Sequence, residues 1–448
     1  MKHGFFFTLI LLAAVARGQG TTGLSLDDAI ATARTSSKVL RASGARADAA
    51  AAKADEASAA LYPSLKIDAS YKRLSDVDPF QIYFPSLFPS PITISPTVLD
   101  NYAAHVGIQQ PLFAGFRLSS NARAAERMAE AGALDVKNDD ADLVLTVTSA
   151  YWALYQAREV EISVNENVRR LEAFENDVEN LMKSGLATRN DLLKIRVQLS
   201  PARLMSIDAV NDAMLASMNL NNVIGRNLAD SLRLSSVPMS GTEQRVAIPR
   251  DGTDDAYARL LETRPDLSAM RSRLDASRSA VTAAQGGWWP QVGLSANYYY
   301  SRPNSRYFPT RDEFKGTWDV GVGVQLDLWN WGMTAAQANQ AKAQVRQNEY
   351  LLSQMEDNAR LDIRRQQLAV RRALDKVALA RLSVEQAEEN LRMTMDKFKN
   401  GLATSTEILD ADVALLNART SSTGALVEHA VATARFARAL GVNSVKER

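Results

Sequence analysis

The segments "KSGLATRNDLLKIRVQLS", starting at Lys183, and "KNGLATSTEILDADVALL", starting at Lys399, spell Gly-Leu-Ala-Thr twice. Three residues after each Thr stands an acid, Asp191 or Glu407. Glycine is favoured just past a helix C-terminus, because it takes the left-handed conformation without a Cβ penalty. Threonine is a good N-cap, and an acid three residues on closes a capping box. Each segment therefore reads as a helix that stops at Gly185 or Gly401, turns through Leu186 and Ala187 or Leu402 and Ala403, and restarts at Thr188 or Thr404. The copies lie 401 − 185 = 216 residues apart, which raises the question of a duplicated chain.

Outside the tips the duplication continues. "LDDAIATARTSSKVLRAS" near Leu26 matches "TDDAYARLLETRPDLSAM" near Thr253. "ALYPSLKIDASYKR" near Ala60 matches "GWWPQVGLSANYYY" near Gly287. "GIQQPLFAGFRLSSNARAA" near Gly107 matches "GVQLDLWNWGMTAAQANQA" near Gly323. Pro63 and Pro290 differ by 227 positions and Pro111 and Asp327 by 216, so the first copy carries 227 − 216 = 11 extra residues between these points. They fall in "DPFQIYFPSLFPSPITISPT", whose prolines exclude a helix and which reads as a long loop. The expected plan is a signal peptide over 1–18, a first repeat over 19–225, a linker over 226–253, a second repeat over 254–441 and a tail over 442–448. In each repeat the order is helix, strand, loop, strand, very long helix, tip, helix.

The long helices are plain to read. Between Met333 and Asn400 there is no Gly and no Pro, which predicts a helix over 333–400. At about 1.5 Å per residue it is roughly 100 Å long. Val377, Val384, Leu391 and Phe398 recur every seven residues, with Ala380 and Ala387 between them, as in a coiled-coil seam. Strands are expected at about 64–73, 102–111, 291–300 and 317–328. In the first, Leu65, Ile67, Ala69 and Tyr71 oppose Ser64, Lys66, Asp68, Ser70 and Lys72. In the last, Trp318, Val320, Val322, Val324 and Leu326 oppose Asp319, Gly321, Gly323 and Gln325. Strands of about ten alternating residues with terminal aromatics suit a transmembrane barrel. Four strands cannot close one, since the smallest has about eight. An open edge in lipid has no partner for its backbone groups. The sequence thus asks for an oligomer.

The remaining composition bounds the chemistry. The chain has 448 residues, with 52 Lys and Arg against 51 Asp and Glu, so there is no electrostatic case for a nucleic-acid partner. Cysteine is absent, which removes disulfides, thiol chemistry and a lipid-attachment cysteine. Lys2 and His3 precede the apolar run "FFFTLILLAAVA", and small residues follow in "ARGQG", as in a cleavable secretory signal. No later segment is apolar for 18 residues, so no transmembrane helix is expected. His105 falls on the wet face of a strand and His429 on a helix. No zincin, nucleophile-elbow or P-loop motif is present, so neither an enzyme nor a cofactor site is expected.

Taken in order, the two strand pairs, the long helices, "QPLFAGFR" at Gln110, "ETRPDLSAMRSRLDASRSA" at Glu262 and both Gly-Leu-Ala-Thr tips resemble the TolC-type family of outer-membrane efflux proteins. The resemblance covers nearly the whole mature chain. It implies a mixed α and β membrane protein in which three chains, each giving four transmembrane β-strands, share a twelve-stranded barrel. A long α-helical coiled-coil barrel continues it through the periplasm. It implies a passive duct in a tripartite efflux or type I secretion system, with outer-membrane lipid, a periplasmic adaptor and an inner-membrane pump as partners. By the same resemblance the tips, Gly185, Leu186, Ala187 and Thr188 with Gly401, Leu402, Ala403 and Thr404, dock the adaptor. Asn190, Asp191, Glu407 and Asp410 fall where the family narrows its entrance with acidic side chains. Ala403 stands where the family carries a basic gate residue. Asp191 and Glu407 also satisfy a capping box, whereas Asp410 lies beyond its reach. The competing reading is a non-conducting coiled-coil envelope protein, which leaves the four alternating strands without purpose.

Overall fold

A computed structural model describes residues 23–86, 89–95, 97–238, 261–262 and 264–441. The expected signal segment 1–18, the second half of the linker and the tail 442–448 lie outside the described residues. The chain forms two compact units, and each draws on both repeats. One comprises residues 39–139 and 251–362 and the other residues 1–38, 140–250 and 363–448.

The first unit is built on a sheet of β1 (Ser64–Arg73), β4 (Asp100–Ala114), β5 (Gln291–Arg302) and β6 (Lys315–Gln325), in that order and antiparallel throughout. Alternation along each strand and register between strands combine to give the sheet two different faces. Leu65 pairs with Ile108, Ile108 with Ala296 and Ala296 with Val320; the next row is Ile67, Val106, Tyr298 and Trp318. This apolar face is open: Ile67 is 73% and Trp318 70% exposed. On the other face Asp68, His105, Asn297 and Asp319 form a chain of polar contacts across all four strands. His105 Nδ1 lies 3.4 Å from Asp68 and Nε2 lies 3.1 Å from Asn297 Oδ1, and Asn297 Nδ2 donates to Asp319 at 2.8 Å. Tyr299 stacks on the His105 ring at 4.6 Å. Aromatic side chains gather at both ends of the apolar face. Tyr71, Tyr102, Tyr300 and Phe314 contact one another at one end, and Phe113, Phe116 and Trp289 at the other. β1 and β6 are the sheet's edges, and among the described residues neither has a partner on its outer side.

The Pro-rich segment between β1 and β4 is more ordered than a plain loop. It folds into a small hairpin of β2 (Phe80–Ile82) and β3 (Ile92–Ser95). Runs of three and four residues between prolines are too short to show alternation, although their aromatic and β-branched residues favour strand. Helices α2 (Lys38–Ala59) and α5 (Pro265–Gln285) complete this unit, together with the first parts of α3 (Arg117–Lys183) and α6 (Met333–Lys399). α2 and α3 approach closely because they meet through small residues, with Gly132 against Ala47 and Ala50. Each long helix is entered through two successive left-handed residues, Gly115 and Phe116 directly between β4 and α3, and Trp331 and Gly332 at the end of the longer segment between β6 and α6.

The second unit is helical, with α1 (Leu26–Ser36), the later parts of α3 and α6, α4 (Arg189–Ile224) and α7 (Ser405–Ala439). One core surrounds Tyr151, Leu154, Leu220 and Ile224, and the buried Tyr151 hydroxyl donates to Leu24 O at 2.8 Å and accepts from Ser236 N. A second core of Leu171, Phe174, Val178, Leu192, Ile195, Leu391, Ile408 and Leu415 joins all four helices near the tips. On α6, Leu391 is buried and Val377, Ala380, Val384, Ala387 and Phe398 are half-buried, so the seven-residue seam lies on the side that packs.

The two left-handed glycines at the helix starts differ in surroundings. A Cβ on Gly115 would lie 2.3 Å from the carbonyl oxygen of Gly286, whereas one on Gly332 would meet nothing within 4 Å. Gly332→Ala should therefore cost only the left-handed penalty of about 1–2 kcal/mol, and Gly115→Ala should cost more because backbone must move. Melting temperatures of the two purified variants check the order.

Candidate functional site

The two tips are built alike. α3 and α6 each end in a Schellman motif, in which the residue after the left-handed glycine donates back to the helix. Leu186 N donates to Leu181 O at 2.9 Å and Gly185 N to Met182 O at 3.0 Å. At the second tip Leu402 N donates to Lys397 O at 2.8 Å and Gly401 N to Phe398 O at 2.9 Å. Gly185 and Gly401 have φ of 76° and 74°, with open space around both. Thr188 and Thr404 then cap α4 and α7 through complete capping boxes. The residue after a Schellman glycine ordinarily folds its side chain back on the helix. Here Leu186 stays 76% and Leu402 78% exposed, while Ala187 and Ala403 are half-buried. Each tip thus holds an apolar side chain out to solvent on a rigid turn.

The acids after the tips have separate fates. The Asp191 carboxylate accepts from Thr188 N at 3.1 Å and Thr188 Oγ1 at 2.6 Å, and its other oxygen accepts from Ser405 Oγ at 2.8 Å. The Thr188 hydroxyl, then that of Ser405, holds the Asp191 carboxyl below its ordinary range. Glu407 accepts from Thr404 N at 2.6 Å and Thr404 Oγ1 at 3.1 Å, and the Thr404 amide above all holds it below its ordinary range. Both residues are therefore committed to caps. Asp410 is exposed and makes no hydrogen bond or ion pair within the described chain, and the same holds for Asn190.

Two features were not anticipated from the sequence. Ser405 ties the tips together through Asp191, assisted by Lys194 Nζ at 3.3 Å from Thr406 Oγ1. Asp412, two residues beyond Asp410, points the opposite way and is buried. It accepts from Arg170 Nε at 2.7 Å and from the Asn167 amide, and burial pushes its carboxyl up against the pull of Arg170. Among the described residues the buried Arg170 Nη2 has no acceptor. The signal for Asp412 was available, since Ile408, Leu409, Leu415 and Leu416 define a buried stripe on which residue 412 falls. Among the described residues no group of three or more His, Cys, Asp or Glu is placed to hold a metal, and no helix is long and apolar enough to cross a membrane.

Comparison with known proteins places these features in a group. A family model described as outer membrane efflux protein matches residues 29–226 and 256–442. The outer membrane efflux protein BepC of Brucella suis biovar 1 is 27% identical over 335 residues, 74% of this chain and 70% of that protein. The alkaline protease secretion protein AprF of Pseudomonas aeruginosa is 22% identical over 345 residues, 77% of this chain and 70% of AprF. Among solved structures, CusC superposes with a TM-score of 0.79 at 17% identity, over 93% of this chain and 92% of CusC. VceC of Vibrio cholerae gives 0.77 at 18% identity, over 93% and 96%.

Two outcomes follow from the tip chemistry. Because Asp191 and Glu407 have depressed folded values, their caps are fully made above the ordinary carboxylate range and are lost as pH falls through those values. Protection of the Thr188 and Thr404 amides against hydrogen exchange, corrected for intrinsic rate, should be flat near neutrality and fall only once pH drops below the ordinary carboxylate range. Asp412→Ala removes the short partner of the half-buried Arg170, leaving it Glu166 at 3.8 Å, and should destabilise the helical unit by about 1–3 kcal/mol. Asp412→Leu with Arg170→Met should recover most of that loss in denaturant unfolding.

Proposed function

The chain belongs to the outer membrane efflux protein family, and on that premise we propose that it is the outer-membrane duct of a tripartite efflux or type I secretion system. The family consists of channels of the outer membrane, so the chain is a transport protein and not an enzyme. The observation that carries the finer reading is the sheet: four strands with one continuous, exposed apolar face and two edges without partners. Such a face suits lipid, and such edges are forbidden there until paired. Three copies joined β6 to β1 would close a twelve-stranded barrel with the apolar face on lipid and the row of Asp68, His105, Asn297 and Asp319 lining the lumen. The aromatic clusters at both ends of that face suit the two membrane interfaces.

In this reading a cleavable signal exports the chain, and without a cysteine it carries no lipid anchor. The helical unit forms the periplasmic tube. Leu186 and Leu402, with Gly185, Ala187, Thr188, Gly401, Ala403 and Thr404 shaping the turns, dock a periplasmic adaptor that links the duct to an inner-membrane pump. The related names cover both efflux and protease secretion, so the cargo class stays open between them. Asp410, without a side-chain partner among the described residues, supplies the polar entrance ring with Asn190 beside the first tip. Asp191 and Glu407 hold the turns and do not gate. The rival coiled-coil envelope protein accounts for α3 and α6 but gives the exposed apolar sheet face no role.

Reconstitution in planar bilayers tests the reading: discrete channels are expected, and an inert bilayer overturns it. Asp410→Ala should raise single-channel conductance and weaken block by divalent cations, because removing a ring of like charges lowers cation affinity at the entrance. Glu407→Ala should instead loosen the tip, read as faster amide exchange at Thr404. Unchanged conductance and block in Asp410→Ala would remove Asp410 from the gate.

A further inference from the structure

In the unit that carries the sheet, α3 and α6 leave the strands at the same end, and the short turn Gly286–Trp288 after α5 touches both starts. A Cβ on Gly286 would lie 3.0 Å from Arg117 Cβ, and one on Gly287 would lie 2.7 Å from Thr334 Oγ1. Aromatic side chains stand in solvent around this junction. Phe116 meets Trp289 edge to face, and Trp329 meets Trp331 likewise, with Trp329 75% and Trp331 88% exposed. Cations follow along both helices. The first nine residues of α3 hold Arg117 and Arg123 and no acid. The first 16 residues of α6, up to Asn348, hold Lys342 and Arg346 and no acid. All four cations are exposed.

Helix direction aims these cations. A helical side chain leans toward the N-terminus of its helix. α3 and α6 run away from the sheet, so their side chains lean back toward it. Arg123 does so visibly, donating to Ser119 O at 3.4 Å and to Ser120 Oγ at 3.3 Å. α2 and α5 run toward the sheet, so Asp55, Glu56 and Asp275 lean away from it. Glu56 and Asp275 are also paired, with Lys53 and Arg278. The first acid of α6, Glu349, is held by the same Arg278 at 3.2 Å. Lys342 and Arg346 are left without an acid partner among the described residues. They border an open groove of about 380 Å³ that Val281, Val345 and Arg278 also line. Asp327, the one acid between β6 and α6, falls by alternation on the polar side of β6 with Asp319 and Gln325.

We propose that Arg117, Arg123, Lys342 and Arg346 form a basic collar that binds the headgroups of anionic phospholipids in the leaflet beside the helix starts. The collar rests on the outer-membrane duct proposed above and names the lipid class that its inner rim takes. Two features select this occupant. The aromatic junction continues the apolar face of the sheet, so the cations begin where hydrocarbon would end, and indole rings suit that level. The collar also presents cations to the bilayer while the neighbouring acids are paired or lean away, so a phosphate there meets donors with no competing carboxylate. Lys342 lies nine residues past Met333, about 14 Å along the helix, and its stem carries the ammonium back by roughly a turn. Arg346 lies about 6 Å further out and is more strongly screened. A zwitterionic headgroup brings its own ammonium to the collar and has no such advantage.

Native tryptophan supplies the readout. The full chain is reconstituted in vesicles of phosphatidylcholine and phosphatidylglycerol in which one lipid or the other carries brominated acyl chains, which quench indole on contact. Trp318→Phe is used as the background, so that Trp288, Trp289, Trp329 and Trp331 at the collar end carry the signal; Trp152 is buried in the helical core. Phosphatidylglycerol should be preferred roughly fivefold or more at low salt, and the preference should approach one in 1 M salt. Lys342→Gln should lower it more than Arg346→Gln, and Arg117→Gln with Lys342→Gln should bring it near one. Arg371→Gln, 371 − 342 = 29 positions beyond Lys342 on the same helix, should leave it unchanged. Equal total quenching of each variant in a fully brominated bilayer shows that it is inserted. No quenching by either lipid overturns the membrane reading, and the collar with it. Equal quenching by both lipids keeps the chain in the bilayer and overturns the collar alone, leaving its cations to an acidic protein surface. A preference that survives Arg117→Gln with Lys342→Gln also overturns it.

Discussion

A strand edge exposes a row of backbone donors and acceptors that must be paired wherever water is excluded. In this chain β1 and β6 both end the sheet in that condition, and everything else follows from the need to satisfy them. The sheet is too small to curl onto itself, and in the proposed duct its exposed apolar side chains would face lipid. The proposed duct accordingly treats one chain as a fraction of the whole. The helical unit likewise keeps apolar side chains in solvent, among them Leu215 on α4 and Leu379 on α6. One open edge of the sheet comes from the first repeat and the other from the second. Duplication has produced a segment whose two borders differ and can complement each other.

The tips show how much detail a few residue types decide. Gly, Thr and an acid at fixed spacing produced two reversals with the same backbone hydrogen bonds and the same capping box. Tip rigidity follows, because the glycine ends one helix and the threonine begins the next with only two residues between. A leucine on such a turn can remain in solvent because the turn does not depend on burying it. That is the condition for a docking residue: it contributes little to the fold that presents it.

The fold was largely legible because its signals are periodic. Alternation marks β1, β4, β5 and β6, and a seven-residue repeat marks the packed face of α6. The hairpin of β2 and β3 escaped because three or four residues between prolines carry no period. The site was legible in part. Capping chemistry named Asp191 and Glu407 from local spacing, and their bonds to Thr188 and Thr404 are local. The buried contact of Asp412 with Arg170 is not, since it joins residues 242 positions apart. Ser405 bonding to Asp191 is likewise a contact between repeats, for which local spacing holds no information.

That last contact breaks the symmetry of the duplication. Ser405 is the first residue of α7 and bonds the acid of the other tip; Arg189, its counterpart at the start of α4, makes no such bond to Glu407. In the proposed ring of three chains the six tips would thus fall into two classes, one holding its neighbour and one held. An adaptor that recognises Gly-Leu-Ala-Thr alone would see six similar knobs. One that feels their stiffness would see three. The seemingly sixfold rim would then yield in a threefold pattern, with motion entering wherever the serine is absent.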